Sequence, residues 1–200
     1  MGAADHKTVL AAYDDGVASI DALSRVIEDW SRPTPCDQWN AADMVGHLLA
    51  IARYYHRLLD AADSGAPLRG LPRGDRLRDM NAADLSELPE TSGKGRAEAF
   101  VASARRYRAR LAESDWDAVL GEWDGVGERT IAGHTGLAVV EWHVHAWDLA
   151  RSAGRDHRPA DPATVAAGYR LPDEPVGCEG DPWTNILLAA CRKPGEVRAS

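Results

Sequence analysis

The sequence predicts an all-α fold, a four-helix bundle carrying short additional helices and one small hairpin. Four long segments repeat apolar residues every three or four positions, the period of a single helix face. Proline and glycine clusters separate those segments and end helices. Only Trp116 to Gly136 combines weak alternation with turn glycines, which suits a short hairpin. With 200 residues, 44% hydrophobic and 27% charged, the chain can bury one sizeable core, so residues 1–200 are expected to form a single domain.

The first helix is expected from Thr8 to Trp30, where Leu10, Tyr13, Val17, Ile20, Leu23, Ile27 and Trp30 make a stripe. Ser31 to Asp37 breaks it, because Pro33 and Pro35 remove donors and disfavour helix at the residue before each. Asn40 then caps a second helix, Ala41 to Ala62, with Met44, Leu48, Ile51, Tyr55 and Leu58 on one side. It ends near Gly65 and Pro67. From Leu68 to Gly95 no strong period survives among the glycines, prolines and charges, which predicts a long surface connection holding one helical turn. A third helix, Arg96 to Ser114, places Phe100, Ala104, Tyr107 and Leu111 inward and its arginines on the solvated side. The fourth, Thr135 to Ala153, is apolar on nearly every side and belongs in the middle of the fold, with Gly154 stopping it. Short helices from Pro162 to Tyr169 and from Asp181 to Ala190 complete the chain.

Lys and Arg total 23 against 31 Asp and Glu, a net charge of −8 that argues against nucleic acid as the main partner. No run approaches the 18 to 20 apolar residues, roughly, of a membrane span, and the first residues hold no apolar core behind a basic start. Cys36, Cys178 and Cys191 are odd in number and form no Cys-x-x-Cys pair. The expectation is a cytoplasmic protein, monomer or homodimer, acting on a small molecule.

The fourth helix contains Glu141-Trp142-His143-Val144-His145-Ala146-Trp147-Asp148. At about 100° per residue, Glu141 and His145 sit one turn apart and about 40° apart around the axis. A carboxylate and an imidazole amid Leu137, Ala138, Val144 and Leu149 are costly to bury uncompensated, so they either pair with each other or hold a cation. His47 shares the inward stripe of Met44, Leu48 and Ile51. Together the three make a two-histidine, one-carboxylate set that leaves coordination positions open, as catalytic metal sites do. The alternative for each is a hydrogen-bonded core residue. His143 lies about 160° around the axis from His145, which suits packing or surface rather than ligation. Asp148 either orients a ligand histidine or bonds to another helix's backbone. His134, ahead of the fourth helix, is either a proton donor on the open side of the metal or an ordinary loop histidine. Trp39, near the start of the His47 helix, is core filling or the wall of a cofactor pocket. Cys36 has no paired histidine in sequence and suits packing better than nucleophilic attack.

The runs Trp30-Ser31-Arg32-Pro33-Thr34-Pro35-Cys36-Asp37-Gln38-Trp39, then Asp43-Met44-Val45-Gly46-His47-Leu48, then Glu141 and His145-Ala146-Trp147-Asp148-Leu149-Ala150, resemble the DinB-like superfamily, in particular the branch of the mycothiol-dependent maleylpyruvate isomerase. The likeness continues to Asp181-Pro182-Trp183-Thr184-Asn185-Ile186-Leu187-Leu188. It implies a four-helix core that binds a divalent metal through His47, Glu141 and His145. Zinc is the expected ion, with nickel or another metal as alternatives. It also implies mycothiol as thiol cosubstrate and a transferase or isomerase reaction on a small electrophilic metabolite. The resemblance is to the isomerase's N-terminal metal-binding domain alone, so the second domain of that enzyme is not expected within these 200 residues, and relatives without that domain include thiol S-transferases. Two other readings stand beside this one. The first is an enzyme that uses the ion as Lewis acid or water activator without a thiol. The second is a non-catalytic metal-binding protein associated with stress.

Overall fold

The computed structural model describes residues 6–36, 39–65, 75–90, 92–123, 127–168 and 180–193. Its elements in order are α1 (His6–Ser24), α2 (Ala41–Ser64), α3 (Asp75–Ser86), α4 (Gly93–Leu111), β1 (Val119–Trp123), β2 (Gly127–Thr130), α5 (Ile131–Ser152), α6 (Pro162–Gly168) and α7 (Pro182–Ala189). The four long helices close a ring in which α1 packs on α4 and α5, and α2 packs on the same two. Among the described residues the fold is all-α apart from the small hairpin, as the periodicity predicts.

One side chain joins all four. Trp142 of α5 is fully buried, and its ring lies edge-on at 5.9 Å from Tyr13 of α1, 6.1 Å from Tyr55 of α2 and 4.9 Å from Phe100 of α4. Such edge-to-face pairs add to the stabilisation from area burial. The α1 backbone must come close for this to happen. A Cβ added at Gly16 would sit 2.7 Å from the Trp142 Cβ, so only glycine admits the observed crossing.

Local signals set the helix ends. Asn40 and Asp43 form a capping box at the start of α2, the Asn40 side chain accepting from the Asp43 amide at 2.9 Å, and Gly65 ends the helix with φ 66. Thr130 closes β2 and caps α5, its hydroxyl accepting from Gly133 at 3.2 Å. The antiparallel hairpin pairs Val119 with Thr130 and Trp123 with Gly127, with an irregularity between Val119 and Glu122.

The structure differs from expectation in several places, and α4 runs Gly93–Leu111 against the expected Arg96 to Ser114. The first helix stops at Ser24 rather than Trp30. The Asp29 side chain accepts from the Ser31 amide and hydroxyl, offering the backbone a turn in place of further helix, and Trp30 reaches the backbone of Gly93 on α4. The expected connection after α2 contains a 12-residue helix, α3. Its polar composition conceals it, but Leu85 and the following Leu88 fill the space beside Gly46 of α2, so tertiary contact decides what propensity left open. The fourth helix begins at Ile131, which takes His134 out of the expected loop and into the first turn of α5. Tyr169 and Cys178 lie outside the described residues.

His143 faces α1 and is fully buried. Its Nε2–H donates to the Ala12 carbonyl at 2.9 Å, so Nδ1 accepts from His157 Nε2 at 3.1 Å, and the two rings stack at 5.4 Å. Burial lowers the His143 pKa, and burial followed by the neighbouring His143 holds His157 down at about 4. His134 is likewise held to about 4, by burial and then by Arg129.

An unfolded imidazole titrates near 6.5, so between about pH 6.5 and 4 the unfolded chain takes up protons that the folded chain refuses. Stability therefore falls as pH drops through that window. Thermal melts should show the midpoint falling from pH 7 to pH 5, and His157→Asn should flatten this slope without removing it, since His134 contributes with the same sign. Gly16→Ala should lower stability by about 1–3 kcal/mol, a midpoint shift of several degrees, because the Trp142 Cβ cannot swing aside.

Candidate metal centre

The site begins with how the chain enters α2. The carbonyls of Trp30 and Arg32 accept from the amides of Ala42 and Ala41, which are among the helix's otherwise unpaired first donors. The Thr34 amide and hydroxyl both donate to the Trp39 carbonyl, at 3.0 and 2.9 Å. This folded-back loop fixes Trp39 over the second turn of α2. The indole lies 4.5 Å from the His47 ring and 6.3 Å from that of His145.

His47 on α2 meets Glu141 and His145 on α5. Glu141 Oε2 is 3.1 Å from His145 Nε2 and 3.7 Å from His47 Nε2, and the two imidazoles stand nearly perpendicular at 5.1 Å. One ligand atom from each of the three lies within 4.8 Å of the others. The histidine side chains are 7% and 9% exposed while that of Glu141 is 34% exposed, so solvent reaches the cluster along the carboxylate.

Behind His145 the site is closed. Its Nδ1–H donates to Asp148 Oδ2 at 2.9 Å, and Asp148 is fully buried. Asp148 is thus bonded to a histidine side chain one turn away on its own helix. Arg192, beyond α7, completes the set with Nε at 2.9 Å from Oδ1 and Nη2 at 2.7 Å from Oδ2. Sequence reasoning missed Arg192, which is 44 residues from its partner. The only hint is that a buried carboxylate needs a cation. The nearest local candidate, Arg151, lies over the Trp147 ring instead.

The charges follow from this geometry. Burial opposes the Glu141 carboxylate, but hydrogen bonds from His145 and His47 outweigh it and hold its pKa well below the usual range. Burial also opposes a charged His145, and the bonds to Asp148 and then Glu141 override it, holding the imidazole at about 9. His47 is lowered, chiefly by burial. Two imidazole nitrogens and a carboxylate oxygen within 4.8 Å of one another are compatible with holding a divalent metal ion.

His134, though fully buried on the same helix, stands apart from the cluster. It precedes Glu141 by about two turns, roughly 10 Å of axial rise, and its ring packs 6.2 Å from that of Tyr55. Cys36 is half-buried near Arg192, and burial pushes its thiol pKa up, with Arg192 acting in the opposite direction. That is an environment for packing rather than for a reactive thiolate.

Metal binding should therefore displace one proton, the one His145 holds below about pH 9. The apparent affinity for zinc, measured by chelator competition, should fall about tenfold per pH unit from 9 towards 6.5. A slope of two would place a second proton in the site. His47→Ala and Glu141→Ala should each lose stoichiometric metal by elemental analysis, whereas His143→Gln, altered on the α1-facing side of α5, should keep it.

Comparison with known proteins supplies one match. No curated protein and no solved structure matches the chain. A family model, that of the mycothiol maleylpyruvate isomerase N-terminal domain, matches residues 11–150, a span that includes His47, Glu141, His145 and Asp148. The match covers well over half of the 200 residues, and the chain belongs to this DinB-like family of mycothiol maleylpyruvate isomerase N-terminal domains.

Proposed function

We propose that this protein is a divalent-metal enzyme, with zinc as its ion, that uses mycothiol as cosubstrate in a transferase or isomerase reaction on a small electrophilic metabolite. The observation that carries the reading is the three-donor cluster with one open flank, in a chain of this family. A divalent ion held by His47, Glu141 and His145 would supply Lewis acidity, which turns a thiol with an ordinary pKa of about 8.5 into a thiolate at neutral pH.

The protein's own residues do the rest. His47 is kept a neutral donor by burial, and Glu141 is an anion at any working pH. Asp148 holds the Nδ1 proton of His145, which leaves Nε2 as the coordinating atom. The Trp39 indole walls one side of the cluster with a flat apolar surface against which a cosubstrate can lie. His134 has no role in this reading, since its ring packs against Tyr55 and not against the ligands.

The test is spectroscopic. Cobalt-substituted protein should develop a sulfur-to-metal charge-transfer band on addition of mycothiol and release about one proton per site. If neither the band nor any binding heat appears up to millimolar mycothiol, the thiol mechanism is wrong. A water-activating metal site then takes its place.

A further inference from the structure

We propose that Arg192 is a positioning residue of the metal centre, acting through Asp148 on His145. The inference rests on the metal reading, though not on the thiol. It concerns a residue outside the matched span of residues 11–150.

The delivery of Arg192 is built into the end of α7. The Arg192 amide donates to the Leu187 carbonyl at 2.7 Å, and the Cys191 amide donates to the Leu188 carbonyl at 2.9 Å. These are the two bonds of a Schellman motif, whose turning residue needs a left-handed backbone and is usually glycine. Here that residue is Cys191, with φ 58. A side chain in this region costs on the order of 1 kcal/mol and persists where surrounding contacts hold it. The next residue supplies such contacts. Arg192 turns back, its Nη1 donating to the Ala190 carbonyl at 2.6 Å while Nε and Nη2 engage both oxygens of Asp148. The arginine side chain is 12% exposed and that of Asp148 is wholly buried.

A carboxylate on a free rotor would present its oxygens to His145 in many directions. The planar guanidinium fork fixes the carboxylate plane, because both oxygens are bound in parallel. With Oδ2 fixed, the His145 ring is fixed about its own axis, and Nε2 points towards Glu141 and His47. Outer-shell partners of ligand histidines typically change metal affinity 10–100-fold when removed. The same reasoning reaches one residue further here, to a side chain that touches no ligand atom.

The experiment measures zinc and cobalt affinity by chelator competition, together with helix content and the melting midpoint of the metal-free protein. Arg192→Ala should bind about tenfold more weakly at unchanged stoichiometry. Millimolar methylguanidinium should restore part of that loss while leaving the original protein unaffected. Arg192→Lys, which keeps the charge but not the fork, should fall between the two and serves if the alanine variant folds poorly. Cys191→Gly, suited to the left-handed turn, should bind as the original does.

A double-mutant cycle with Asp148→Asn isolates the pathway, since the effect of Arg192→Ala should largely vanish in that background. Affinity of Arg192→Ala within twofold of the original would overturn the proposal. So would a loss that persists undiminished beside Asp148→Asn, which would mean that Arg192 acts by holding α7 in place. If the original protein takes up no stoichiometric ion, the metal reading itself has failed, and this inference fails with it.

Discussion

Two carboxylates flank one buried imidazole on α5, and the rest of the site is arranged to make that burial tolerable. Glu141, His145 and Asp148 follow one another along a single helix face, and burial opposes the charged form of each. The solution is an alternating row. Arg192 neutralises Asp148, Asp148 and Glu141 together hold the His145 proton, and His47 closes the row against Glu141. Each member is costly alone and satisfied in company, which is the usual condition for ionised groups in an interior. The row also crosses the molecule, from the end of α7 through α5 to α2, so the bundle cannot drift apart without exposing a charge.

The two histidines are held by different means. His145 is fixed through Nδ1 by a carboxylate that is itself fixed, while His47 Nδ1 has no hydrogen-bond partner among the described residues. Packing does for His47 what Asp148 does for His145, with Trp39 against one side of its ring. Trp39 in turn depends on the loop that caps α2, where Thr34 is bonded twice to the Trp39 carbonyl. The two prolines before α2 end no helix, since α1 stops at Ser24. They lie in the fold-back, bridged from Pro33 to Asn40, that places an indole beside His47.

Where periodicity is strong, the sequence reading and the structure agree. The apolar stripes foretell α1, α2, α4 and α5, and Asn40 marks the start of α2 to the residue. The helical repeat alone places Glu141 and His145 on one face and His143 on another, because one turn of helix is a geometric certainty once the helix is granted. What was not legible depends mostly on distant partners. α3 has little apolar stripe of its own and takes its place from the gap beside Gly46. The end of α1 is decided by Asp29 bonding its own turn and by Trp30 reaching Gly93. Arg192 joins the site through an ion pair between residues 44 apart in sequence, and no spacing rule connects it to Asp148.

The formal charge of the site bears on what an ion there would take as its next ligand. With both histidines as neutral donors, Glu141 and Asp148 contribute two negative charges and Arg192 one positive, leaving −1. A divalent ion brings the total to +1, and binding an anion at an open position returns it to zero. In a largely buried site, where interactions between charges are screened less than in water, that balance favours ionising a neutral ligand such as a thiol over binding it intact. Without Arg192 the same sum would start at −2 and already be neutral with the ion bound, so the pull towards a further anion would be weaker. The side chain that orients His145 from behind thus also adds the positive charge that makes an anionic ligand welcome in front.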